Sequence, residues 1–401
     1  MHRTKAGLPA GIPGIADEID GTIQQAAHPT RQSIITEYTD TRVSRNISID
    51  VYRGFVMLLM MAEVLRISSL AGAYPGNPIL DFLAFNQSHV AWEGCSLHDM
   101  IQPSFSFLAG VALPFSLASR LARGAVFSQL FRHALLRSLV LVAMGIFLRS
   151  THSKQTNFTF EDTLTQIGLG YPFLFLLGRA TLRTQWISLA LILAGYWTAW
   201  AIYPIAGQPF AAHWWKADNL GVAFDAWFMN LFPRIEPFIA NRGGYVTLSF
   251  IPTLGTMILG LIAGRYLQAE AQLGRYWKTG SLLIAAGLIA HFTGICPIVK
   301  RIWTPSWTLF SGGLCFFFLV GFRYILEVRG WTRWAFPLLV IGMNSIAAYW
   351  IAHVFEEPIA SAFRVHFGNY LPLQFLLPPI VLLTEWWLLY WMYRRKIFLK
   401  V

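Results

Sequence analysis

VYRGFVMLLMMAEVLRISSLA, residues 51–71, is apolar over almost its whole length. A helix needs about 20 such residues to cross roughly 30 Å of hydrocarbon. Comparable stretches recur at 101–118, 135–148, 163–177, 186–203, 247–266, 280–298, 307–326, 336–355 and 373–393. The third and fourth of the ten are short. The fold class that follows is all-α: a polytopic membrane helix bundle of about 10 transmembrane helices.

Composition agrees. The 401 residues are 55% hydrophobic and only 13% charged, where an average soluble domain is about 25% charged. A disordered chain is excluded, because such chains are poor in apolar residues. Three cysteines are too few for a disulfide-stapled scaffold. The net charge of +11 would suggest nucleic acid in a soluble protein. In a membrane protein it reads as topology. If the N-terminus is cytoplasmic, most Lys and Arg fall in inner loops, as the positive-inside rule requires. Both termini are then cytoplasmic, the lipid bilayer is a partner, and no nucleic acid is needed.

Residues 1–46 differ from the rest. They are polar, carry Gly7, Pro9, Gly11, Pro13 and Gly14, and hold nothing apolar enough for a signal peptide. They read as a cytoplasmic tail before a membrane domain at 47–401. On the far side lie loops at 72–99 and 205–245. The second is rich in aromatics, among them Trp214, Trp215, Trp227 and Phe228. Two readings stand for it: an interfacial belt, or a platform for an extended ligand such as a sugar chain.

Few polar groups interrupt the spans. Asp50 and Arg53, three apart, can pair on one helix face. Glu63 is deep in the first span, where an ionisable group costs roughly 3 kcal/mol and needs a cavity or a partner. Arg66, three residues on, is one such partner. The loop before the second span gathers His89, Trp92, Glu93, His98 and Asp99. A histidine is the natural general base near neutral pH, and a carboxylate beside it orients it. Asn344, Tyr349 and His353 lie in the ninth span, where interhelical hydrogen bonding competes with function. The ten histidines form no metal-ligand pattern, so no metal is expected. No phosphate-binding glycine loop or dinucleotide fingerprint is present.

These residues carry a resemblance. Ser48-Ile-Asp50-Val-Tyr-Arg53-Gly54 resembles the Ser-Leu-Asp-x-x-Arg-Gly motif that opens the heparan-α-glucosaminide N-acetyltransferase catalytic domain. His89-x-x-Trp92-x-Gly94-x-x-x-x-Asp99-x-x-x-Pro103 resembles that family's loop. Trp303-Thr-Pro-Ser306, Gly342-Met-Asn344 and Tyr393-Arg-Arg-Lys396-Ile-Phe extend the likeness, in order, over residues 48–401. Two stretches depart from the family pattern. Met61-Ala-Glu63-Val64 stands where lysosomal members carry an asparagine, and Leu164-Thr-Gln-Ile167 stands for Leu-Gln-Arg-Ile.

The resemblance implies a transmembrane acyltransferase of the bacterial inner (cytoplasmic) membrane. It would move an acetyl group from cytosolic acetyl-CoA to an amino or hydroxyl group of a sugar on the other side, and homodimers are implied as well. His89 takes the role of catalytic base or acyl carrier. Asp99 or Glu63 orients it, and Asn344 donates to the oxyanion. Arg53, Asp50, Arg120, Trp303 and Ser306 are expected at the CoA, and Trp92, His98 and His353 at the acceptor. CoA must reach His89 from inside, which predicts a polar tunnel. The competing classes are a secondary transporter or glycan/lipid exporter with Glu63 as its site, and a non-catalytic partner in an envelope-modifying complex. No repeat relates the two halves, which disfavours common transporter folds.

Overall fold

A computed structural model describes residues 46–151, 153–368 and 371–399. The expected tail therefore lies outside the described residues, Asn46 excepted. The helices in chain order are α1 (Ile47–Met61), α2 (Ile67–Ala73), α3 (Pro78–Asn86), α4 (Ile101–Ala122), α5 (Phe127–Ser150), α6 (Thr163–Leu177), α7 (Leu182–Ala201) and α8 (Leu220–Phe228). They continue as α9 (Phe250–Gln268), α10 (Leu273–Phe292), α11 (Pro305–Arg323), α12 (Phe336–Met343), α13 (Ser345–Trp350), α14 (Glu356–Phe367) and α15 (Leu371–Arg394). Among the described residues there is no strand, only an isolated bridge between Glu93 and Val299.

Each of the ten apolar stretches contains helix, though 51–71 and 336–355 are broken and the helix in 280–298 ends at Phe292. Among the described residues four helices are long and apolar enough to cross a membrane alone, and there are up to six spans if two bent pairs each count as one. The first pair bends by 42° before α2, the second by 75° between α12 and α13. Arg66 sits at the first break with φ +46°, and Asn344 caps α12 at the second. Large apolar side chains face outward along the bundle, including Leu136, Leu139, Leu191, Leu282, Ile289 and Phe292. Such a belt suits hydrocarbon rather than water.

The bundle closes through glycines. A Cβ on Gly260 of α9 would lie 1.9 Å from the Phe107 carbonyl oxygen, and one on Gly110 of α4 would lie 1.9 Å from that of Met257. Likewise Gly54 of α1 meets the Leu338 oxygen, and Gly342 of α12 meets the Asp50 oxygen, each at 1.8 Å. Small residues let helix backbones touch where no hydrophobic effect drives helices together. Both glycine motifs of the sequence, after Arg53 and before Asn344, are thus one crossing. Gly260→Val would force α4 from α9, and overpacking of this kind costs about 1–3 kcal/mol. The expected result is a lower melting temperature of the detergent-purified protein, with Gly274→Val, whose Cβ meets nothing within 4 Å, as the control.

Candidate functional site

Three loops meet above α1 and α4. The first, residues 87–97, folds over the start of α4. Its Gly94 N–H donates to the Ile298 carbonyl at 3.0 Å, beside the Glu93–Val299 bridge. The second, residues 293–304, is held from within. Thr304 Oγ1 donates to the Pro297 carbonyl at 2.7 Å, Ser306 bonds the same carbonyl, and Trp303 Nε1 donates to Thr256 Oγ1 at 3.2 Å. Trp303 is buried with φ +49°, a left-handed conformation costing of order 1–3 kcal/mol that its surroundings must impose. The third, residues 241–246, is tied on by Arg301, which donates to the carbonyls of Gly243 and Val90 and covers the Tyr245 ring at 5.3 Å.

This scaffold brings His89, Asp99 and Lys300 together. His89 Nδ1 is 2.9 Å from Asp99 Oδ1, and Lys300 Nζ is 3.2 Å from the same oxygen and 3.1 Å from His89 Nδ1. Asp99 Oδ2 accepts from the N–H groups of Val90 at 3.2 Å and Ser96 at 3.1 Å. A carboxylate so surrounded by donors is ionised. The proton between it and His89 then sits on Nδ1, which leaves the Nε2 lone pair free. Burial holds the His89 pKa below its ordinary value; the Lys300 charge adds to this, and the Asp99 hydrogen bond opposes it. Burial also pushes Lys300 down, against the pull of Asp99. Neutral His89 is therefore the form present at neutral pH. Cys95 nearby is pushed up to about 12, mainly by burial, so it is a thiol at neutral pH.

His89 faces a cavity of about 490 Å³, within the range of small-molecule sites. Glu63, His98, Lys300 and His353 line it as well. His98 Nε2 is 3.0 Å from Glu63 Oε1, and the His89 and His98 rings are 4.6 Å apart. The opposite wall is Arg149, Glu161, Asp162, Asn241 and Tyr245. Asn241 Nδ2 donates to Glu161 Oε1 at 3.1 Å, while Asp162 caps α6 by accepting from the N–H groups of Leu164 and Thr165. Arg149, Asp162, Tyr349 and His353 also border an adjoining space of about 240 Å³. Among the described residues no group of three His, Cys, Asp or Glu is placed to hold a metal.

Other expected site residues lie elsewhere. Asn344 is buried at the α12–α13 bend. Its Nδ2 donates to the Ile397 carbonyl and its Oδ1 accepts from the Leu399 N–H, each at 3.0 Å. Its amide thus holds the end of the chain, and Asn344 does not line the His89 cavity. Trp303 and Ser306, expected at CoA, are buried supports of the Lys300 loop. Trp92, expected at the acceptor, donates through Nε1 to the Trp214 carbonyl at 2.9 Å and anchors its loop. Trp214 stacks on Trp200 at 5.8 Å and belongs to a small core of its own, while Trp215 and Trp227 of the same aromatic loop are exposed. Arg53 pairs with Asp50 at 3.1 Å. Arg120 lines a separate cavity that shares no lining residue with that of His89.

Lys300 was not singled out by sequence, nor were Arg149, Glu161, Asn241 and Tyr245. A lysine between Val299 and Arg301 reads as a loop charge, and only the fold carries it back to Asp99. Its signal was an ammonium in a short apolar loop that ends on a tightly held tryptophan. Lys300→Met would remove the charge that holds His89 neutral and would free Asp99 to favour the imidazolium. Any activity that needs neutral His89 should then fall off at higher pH than in the native protein, while the basic side of the profile stays put.

Fold and site together define the class: a helical bundle with an apolar belt, holding a histidine, a carboxylate paired with it and a lysine at a polar cavity. The chain is similar to heparan-alpha-glucosaminide N-acetyltransferase of Homo sapiens, 24% identical over 98% of this chain and 64% of that protein. It is similar to the Mus musculus protein of the same name at 22% identity, over 88% of this chain and 60% of that one. The two matches support a distant relationship to this family. The chain spans less than two thirds of the length of these curated relatives, and no family model matches it.

Proposed function

We propose that the chain is an integral membrane acyltransferase that moves an acetyl group from acetyl-CoA to an amino or hydroxyl group of a sugar. The observation that carries this reading is the His89–Asp99–Lys300 cluster opening into the polar cavity. The distant similarity to N-acetyltransferases supports the reaction class. About ten spans, both termini and the 1–46 tail in the cytoplasm of a bacterium, and acetyl-CoA entering from that side complete the reading; a homodimer is part of it.

The acceptor nitrogen or oxygen attacks the thioester carbonyl while His89 Nε2 takes its proton. Asp99 keeps the Nδ1 proton in place and steadies the imidazolium that forms. Collapse of the tetrahedral adduct breaks the carbon–sulfur bond, and His89 returns the proton to the leaving thiolate, so one acetyl group moves and no net proton is lost from the site. Glu63 holds His98 against His89 and, with Glu161 and Asn241, offers acceptors to sugar hydroxyls. Arg149 and Lys300 supply the positive field near the developing oxyanion.

The test follows thioester consumption. Purified protein with acetyl-CoA and a panel of amino and neutral sugars should release CoA thiol only when an acceptor is present. A protein that binds no CoA and releases no thiol with any acceptor would leave the transporter reading in its place.

A further inference from the structure

We infer that a second site, formed by Arg120, His133 and Arg137, binds the phosphate group of a phosphate ester. The site is a cavity of about 70 Å³ between α4, α5 and α6. Ser116 and Arg120 lie four residues apart on one face of α4, and His133 and Arg137 four apart on the facing side of α5. Both pairs line the cavity, together with Tyr171 of α6. No carboxylate lines it. Among the described residues no ion pair includes Arg120, His133 or Arg137.

Arg137 is built into position. Its guanidinium lies 4.6 Å over the Tyr171 ring, and Nη1 donates to the Tyr171 hydroxyl at 3.0 Å. Its Nε is buried and has no partner. A planar guanidinium with a donor unspent, a second guanidinium and an imidazole around a small space match a phosphate, whose oxygens accept from such forks. Bulk is excluded by Leu113, Leu117, Leu130 and Phe175, so a single head group is accommodated rather than a whole nucleotide. Basic pockets between membrane helices are a recurrent seat for lipid head groups. The phosphate end of CoA carries the same chemistry. The cavity shares no lining residue with that of His89, so a lipid head group there is independent of the transferase reading, while the CoA source rests on it.

The experiment titrates the full-length detergent-purified protein with short-chain phosphatidylglycerol and, separately, with adenosine 3′,5′-bisphosphate, by calorimetry. Arg137→Gln and Arg120→Gln are compared with the native protein. At least one probe should bind the native protein and weaken by about tenfold or more in each variant, the loss of a hydrogen bond to a charged group. The probe that weakens identifies the source. Arg137→Gln also removes the bond to Tyr171, so a folding defect in that variant leaves Arg120→Gln to decide alone. Neither probe binding the native protein, or both binding Arg120→Gln at native affinity, overturns the proposal.

Discussion

His89→Gln is expected to lower kcat for acetyl transfer by about 10²–10⁴-fold with little change in KM, the usual worth of a positioned general base. The side chain is 38% exposed and its polar ties are the 2.9 Å contact with Asp99 and the 3.1 Å contact with Lys300, so the fold should survive its loss. Asp99 keeps Lys300 and the N–H groups of Val90 and Ser96 in the variant. Glutamine fills similar space but cannot take a proton. The native profile should lose activity only below the ordinary histidine pKa of about 6.5, because burial lowers that of His89. Melting curves that match the native protein, alongside the loss in kcat, would separate chemistry from folding. A glutamine variant within about twofold of native kcat would remove His89 from the mechanism.

Asp99→Asn should be worse in two respects. The amide cannot accept from both His89 and Lys300 without turning its own N–H groups toward donors, so the imidazole loses the tautomer that exposes Nε2. In a serine protease triad the corresponding change costs about 10⁴-fold in kcat, and a fall of that order is expected here. The variant also leaves Lys300, 4% exposed, without its counter-charge. Breaking a buried pair on one side typically costs about 3–5 kcal/mol. The lower end is expected, since burial lowers the Lys300 pKa and the amine can release its proton once its counter-charge is gone. The double variant Asp99→Asn/Lys300→Met should recover much of the stability and none of the activity. Recovery of both would make Asp99 a structural group only.

Much of the cavity was legible before the fold. Glu63, His89, His98, Asp99 and His353 stand out because the chain has few polar groups in its spans, and the fold gathers four of them around one space and sets Asp99 behind His89. The glycines after Arg53 and before Asn344 were legible as motif letters, while their meaning, a single α1–α12 crossing, needed backbone coordinates. The structural bonds of Asn344 were not legible because a polar side chain in an apolar span has no visible partner, and its partners lie more than fifty residues on, at Ile397 and Leu399. The supporting contacts of Trp303 and Ser306 were hidden for a related reason. A motif marks residues that must not change, and a strained loop that aims a lysine needs its supports as much as a ligand needs its contacts. Lys300 itself escaped because loop cations in membrane proteins are ordinarily topological.

The central claim is acyl transfer at His89. Its most direct measurement gives purified protein radiolabelled acetyl-CoA and a soluble amino sugar, and follows label on the sugar for the native chain and for His89→Gln. The account predicts labelled sugar from the native chain and almost none from the variant, with both proteins equally folded. Equal labelling by the two would contradict the site, and a native chain that neither transfers nor hydrolyses the acetyl group would contradict the enzyme.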